Sequence, residues 1–125
     1  MEKQIQHFYD LAVWKQAHEL ALEIYALTKS FPREELFGVT SQLRRAAMSV
    51  AANIAEGFGR FHFKDKIRFY YQARGSLAET QNHLLFVRDL RLIETTRCAE
   101  LISKAEQLHQ LINGLIRSIE KQIEV

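Results

Sequence analysis

The stretch SVAANIAEGFGR, Ser49 to Arg60, decides how this chain folds. Between Ala46 and Phe58 the only polar side chains are Ser49, Asn53 and Glu56, spaced 4 and 3 residues apart. On a helix that spacing draws one narrow polar stripe along an otherwise apolar rod. Arg45 extends the stripe upstream, and Arg60 extends it downstream if the helix survives Gly57 and Gly59. A surface helix of a monomer has the opposite pattern, a narrow apolar stripe on a polar rod. The segment is therefore expected to be covered on more than one side.

Outward from this stretch, apolar residues alternate at spacings of 4 and 3 along the whole chain. The first seam runs Val13, Ala17, Leu20, Ile24, Leu27, Phe31, and the second Leu43, Ala47, Val50, Ile54. The third runs Tyr70, Ala73, Leu77, Thr80, Leu84, Val87, and the fourth Cys98, Leu101, Ala105, Leu108, Ile112, Leu115, Ile119. These seams predict helices at about 11–30, 40–58, 64–92 and 95–123. Pro32 suits a first helical position, a short piece is expected to stop at Gly38, and Gly57 or Gly59 could take a positive-φ C-cap. With short connections, four such seams predict an all-α, antiparallel up-down-up-down four-helix bundle, one domain over residues 1–125.

The composition agrees. One proline and five glycines argue against an all-β chain. Apolar runs reach only four residues, as in Leu84 to Val87, so no membrane span is expected. MEKQIQHFYD lacks the apolar centre of a signal peptide, and the single cysteine, Cys98, sits on a packing seam. Both point to a cytoplasmic protein.

Two helices carry more apolar surface than one bundle core uses. The third has a second row, Ile67, Tyr71, Ala78, Leu85 and Leu92, and the second adds Met48, Ala51, Ala52 and Ala55. Gly75 stands mid-helix, where glycine costs about 1 kcal/mol against alanine unless close packing requires it. A homo-oligomer is the expectation.

Enzymatic patterns are absent from the sequence. A di-iron bundle needs two Glu-x-x-His pairs, and Glu106 with His109 is the one such spacing. No cysteine and histidine spacing suits zinc, so neither metal nor cofactor is expected. Ser49 and Ser76 lack the signature of an activating base, and AEGFGRFHFKDK matches no phosphate-binding loop. The net charge is a mild +2, yet Arg44 to Arg74 holds seven basic residues against two acidic ones. Arg44, Arg45, Arg60, Lys64, Lys66, Arg68 and Arg74, interleaved with aromatics in RFHFKDKIRFYYQAR, form the candidate nucleic-acid-binding set. The plainer reading is a solvated, charged helix start. A second polar stripe, Gln72, Ser76, Glu79 and His83, could meet the first, and a buried glutamate in it would need a partner such as Arg45, Arg74 or Asn53.

The segments QLRRAAMSVAANIAEGFGR and ARGSLAET, within a likeness running from FYDLAVWKQAHELALEIYALTKSFPREELFGVTSQLRRAA to the last helix, carry a resemblance. The chain resembles the bacterial four-helix-bundle family of proteins encoded in intervening sequences of 23S rRNA genes. That family is related to the accessory variability determinant of diversity-generating retroelements. The resemblance implies a homopentameric ring of antiparallel bundles with no known enzymatic activity. In the retroelement relatives the ring is basic and associates with nucleic acid and a reverse transcriptase. It implies an architectural role for the motif positions Asn53, Glu56, Gly57, Gly75, Ser76 and Glu79. The chain departs from the pattern at Arg91, near where relatives tend to have glycine, and in its mild net charge. The expected function is that of a non-catalytic, nucleic-acid-associated accessory or assembly factor. The alternative is a structural or protein-partner scaffold.

Overall fold

The computed structural model describes residues 4–124; residues 1–3 and 125, part of the expected domain, lie outside the described residues. Four α-helices make up the fold: α1 (Ala12–Thr28), α2 (Ser41–Gly59), α3 (Phe63–Asp89) and α4 (Thr95–Glu124), with no strand among the described residues. A short 3-10 turn, Phe8–Asp10, precedes α1. Side-chain contacts fix the directions. Ser49 meets Ser76 and Gly57 meets Tyr70, so α2 and α3 run antiparallel. Leu84 with Cys98, and Arg74 with Asn113, set α3 against α4 in the same way. Glu23 bonds Lys104 and Arg97, which closes α1 onto α4 and completes the four-helix bundle.

The core is built from the seams. Ile24, Leu43, Ile54, Leu77, Leu84, Leu101, Leu108 and Ile112 are fully buried, each contributing about 1.5–3 kcal/mol relative to exposure. Three seam positions differ from the expectation. Leu27 is only partly buried, and on α4 the burial passes to Ile116 while Leu115 and Ile119 lie half-covered. A straight helix drifts by about 20° per heptad against a strict 3.5-residue repeat, so a long seam slips by one residue.

Element ends depart further from expectation. Helix α1 stops at Thr28, whose Oγ1 donates back to the Ile24 carbonyl at 2.9 Å, and Pro32 blocks continuation. Arg33–Glu35 then form a tight turn and Leu36–Thr40 a wide one, which passes through Gly38 directly into α2. The expected glycine cap on α2 is corrected: the helix runs through both Gly57 and Gly59, and no described glycine has positive φ. Helix α3 ends at Asp89, three residues before the expected 92. There Arg91 adopts φ 63, the Leu92 N–H reaches the Val87 carbonyl at 2.9 Å, and the Arg91 N–H reaches that of Arg88 at 2.9 Å. That pair of bonds is a Schellman motif with arginine in the left-handed position glycine normally fills.

The second apolar rows also need correction. Ala51 and Ile67 belong to the chain's own core, Leu92 packs against it and Ala55 is half-buried. Met48 and Ala52 on α2, with Tyr71, Ala78 and Leu85 on α3, remain exposed.

Candidate functional site

The two polar stripes meet along the α2–α3 groove. Ser76 Oγ donates to Ser49 Oγ at 2.9 Å, and Asn53 Nδ2 donates to the Ser49 carbonyl at 2.9 Å and to its Oγ at 3.0 Å. Thr80 Oγ1 bonds the Ser76 carbonyl at 2.8 Å. The carboxylates of the stripes are not buried: the side chains of Glu56 and Glu79 are 59% and 56% exposed. Glu56 only approaches Arg60 at 4.0 Å, and Glu79 Oε1 lies 3.8 Å from His83 Nε2.

The two motif glycines have different surroundings. A Cβ on Gly57 would sit 2.5 Å from Tyr70 Cε1, so the tyrosine ring packs where a side chain would be. Burial of that ring pushes the phenol up to about 12. A Cβ on Gly75 would meet nothing within 4 Å.

The seven candidate cations do not form one patch. Arg44 turns towards α1, where Nε donates to Thr28 Oγ1 at 2.7 Å and the guanidinium lies 4.1 Å from the centroid of the Tyr25 ring. Arg74 turns towards α4, donating to Asn113 Oδ1 at 3.0 Å beside Tyr71. Lys66 Nζ donates to the Phe58 carbonyl at 2.8 Å and to the Gly57 carbonyl at 3.3 Å. It therefore satisfies the orphan carbonyls at the end of α2, and burial pulls its ammonium below the usual lysine value. Arg45 is exposed on the outer face of α2.

Arg60, Lys64 and Arg68 remain, and they gather at the α2–α3 turn. Arg60 and Arg68 lie 4.7 and 5.8 Å from the centroid of one ring, Phe69. Between them the chain projects Phe61, 88% exposed, with His62 edge-on at 5.0 Å and Phe63 exposed beyond. Exposed rings among cations can stack on unpaired bases while the cations neutralise phosphate.

The remaining chemistry is structural. Burial raises the Cys98 thiol above its usual value, and its Sγ lies 3.5 Å from the Leu84 carbonyl, an environment for packing rather than nucleophilic attack. Glu106 and His109 are both exposed, and His109 Nε2 contacts Asn113 at 3.4 Å. No cluster of three His, Cys, Asp or Glu side chains able to hold a metal occurs among the described residues. No helix searched there is long and apolar enough to cross a membrane. Sequence reasoning missed the Lys66 cap, the Arg44–Thr28 bond and the Glu23 pairs with Lys104 and Arg97. Each joins residues with no periodic relation to one another.

The model of the 23S rRNA-intervening sequence protein family matches residues 9–114 of the chain. A solved structure from Bacteroides thetaiotaomicron, a protein of unknown function from the S23 ribosomal protein family, superposes with a TM-score of 0.78. It is 23% identical, and the match covers 84% of this chain and 95% of that one. No curated protein matches.

Proposed function

The chain belongs to the 23S rRNA-intervening sequence protein family, and we propose that it serves there as a non-catalytic, self-assembling accessory factor that associates with nucleic acid. The observation that carries the nucleic-acid half is the α2–α3 turn. Phe61, 88% exposed, and Phe63 stand there among Arg60, Lys64 and Arg68, and the two rings have no place in the chain's own core. The seven-cation set is thus reduced to three, because Arg44, Lys66 and Arg74 are engaged inside the bundle and Arg45 lies on α2 away from the turn. The proposed assembly is a homopentameric ring in the cytoplasm, as the family resemblance and the sequence imply, and α3 supports the self-association alone. Gly75 weakens that helix with no intrachain neighbour to require it, beside the exposed Ala78 and Leu85.

The test is fluorescence anisotropy with a labelled RNA hairpin and a labelled single-stranded DNA across about 50–300 mM salt. Micromolar or tighter binding is expected, with log K falling linearly against log salt. Arg60→Glu, Lys64→Glu and Arg68→Glu together should abolish it, and Phe61→Ala should weaken single-strand binding by roughly 1–3 kcal/mol. No binding at the lowest salt by an intact assembly would overturn the nucleic-acid reading. It would leave the scaffold reading, which the inward-turned arginines and the net charge of +2 favour.

A further inference from the structure

The outer face of α2 opens on a groove of about 640 Å³, bounded by α1 and the wide turn. Phe37, 93% exposed, and Met48, 54% exposed, stand in it, and the chain's own fold covers neither. Arg45 borders the groove without an ion pair to any described residue, and no carboxylate lines it. On the neighbouring corner of the bundle, α3 turns out Tyr71, Gly75, Ala78 and Leu85, spaced 4, 3 and 7. Beside that row Glu79 is 56% exposed and pairs only with His83, at 3.8 Å. Arg74 is turned away from the row, towards Asn113 on α4.

The two faces match level by level. Within one chain, Ser49 meets Ser76 and Gly57 meets Tyr70, which fixes the relative heights of the antiparallel helices. Counted from those contacts, Tyr71 is level with Ala55, Gly75 with Ala52, Ala78 with Met48 and Leu85 with Ser41, to within about 1.5 Å of rise. Rotation about a ring axis moves nothing along that axis. In a ring whose bundles stand along it, α3 of one copy therefore meets α2 of the next at these same levels. Three of the four pairings set a large side chain against a small one, so the surfaces interdigitate. The fourth, Gly75 with Ala52, lets the two backbones approach closely. The charges agree too. Glu79 comes within about 3 Å of rise of the unpaired Arg45, a span that two long side chains cover. We propose that copies of this chain join head to tail, the α3 row of one seated in the α2 groove of the next, with Glu79 against Arg45. The inference rests on the self-assembly proposed above and adds the two faces that mate and their register.

The test is a cysteine pair in the full chain, Met48→Cys with Ala78→Cys. Both positions are exposed and the native Cys98 is buried, so the introduced thiols are the ones free to pair. Ala78 lies about 160° round α3 from Ser76, which faces α2 of the same chain, so the pair cannot close within one chain. Unlike faces let every chain link to two neighbours. Mild oxidation should therefore give a covalent ladder ending at five chains on a non-reducing denaturing gel. A disulfide needs Cα atoms within about 7 Å, so the ladder reports the register as well as the contact. Met48→Cys alone and Ala78→Cys alone should remain single chains on the gel. Light scattering gives a second readout. Arg45→Glu and Glu79→Arg should each weaken assembly about tenfold, and the two together should restore it, with the helical circular dichroism unchanged. A five-chain wild type whose double-cysteine variant yields no ladder would overturn the pairing and leave self-assembly standing. Dimers from either single-cysteine variant would also overturn it, because they mark a two-fold contact between like faces. So would a double charge reversal that fails to restore assembly. A wild type that stays a single chain would remove self-assembly itself, and this inference with it.

Discussion

A Cβ on Gly57 would lie 2.5 Å from Tyr70 Cε1, well inside contact distance, so any larger residue must drive the ring out of the core. Gly57→Ala gains about 1 kcal/mol of helix propensity but overpacks the site by more. The expected net loss is about 1–3 kcal/mol, read from urea or thermal melts. An unchanged or raised melting temperature would contradict this packing. Tyr70 supplies a second check at the same contact. Its phenol titrates at about 12 when folded and near 10 when unfolded, so the folded chain holds the proton more tightly. Stability from this group is therefore complete below pH 10 and lost as pH rises towards 12, on the order of 2–3 kcal/mol. Lysines titrate in the same window, so the relevant quantity is the difference from Tyr70→Phe. The wild type should lose more stability than the variant between pH 9 and 11.5, and parallel loss would contradict a buried phenol. Neither effect is visible in the sequence. NIAEG marks Gly57 as a motif residue, but its partner lies 13 positions on, in another helix.

At the scale of elements, the seams located all four helices, because each buries one face at a spacing the chain repeats many times. Their ends were less legible, because caps are single events without a period. Helix α2 outlasts two glycines because Lys66, from the next helix, caps its last carbonyls. Helix α3 stops early because Arg91 turns to φ 63, which a side chain resists by roughly 1–2 kcal/mol. Arg91→Gly relieves that resistance at the cost of greater freedom in the unfolded chain. The net gain should be about 0.5–1 kcal/mol, seen as a higher melting temperature with the far-ultraviolet spectrum unchanged. A loss of stability would mean that the arginine side chain makes contacts worth more than the strain.

At the scale of the molecule, the basic region was legible as a composition and illegible as a surface. Seven cations between Arg44 and Arg74 read as one patch along the chain, yet the helix rotation sends Arg44 towards α1, Arg74 towards α4 and Lys66 to a helix end. Arg44 and Arg74 also lie against rings, but they are committed to Thr28 and Asn113; the turn around Phe61 is where cations stand beside rings that project into solvent. The excess of apolar surface reads similarly: of the apparent second rows, Ala51 and Ile67 enter the chain's own core, Leu92 packs against it, Ala55 is half-buried, and Met48, Ala52, Tyr71, Ala78 and Leu85 stay exposed. Gly75 is the sharpest residue on that outer face. Since a Cβ there meets nothing, Gly75→Ala should stabilise a single chain by about 1 kcal/mol. Where another copy's backbone closes on the same face, the substitution should instead drive the assembly apart. The most direct measurement is multi-angle light scattering of the purified wild-type chain at micromolar concentration, with Gly75→Ala alongside. A wild-type mass five times the 14.6 kDa of one chain, falling in the variant, is the predicted result. A stable 14.6 kDa species for the wild type would contradict the account.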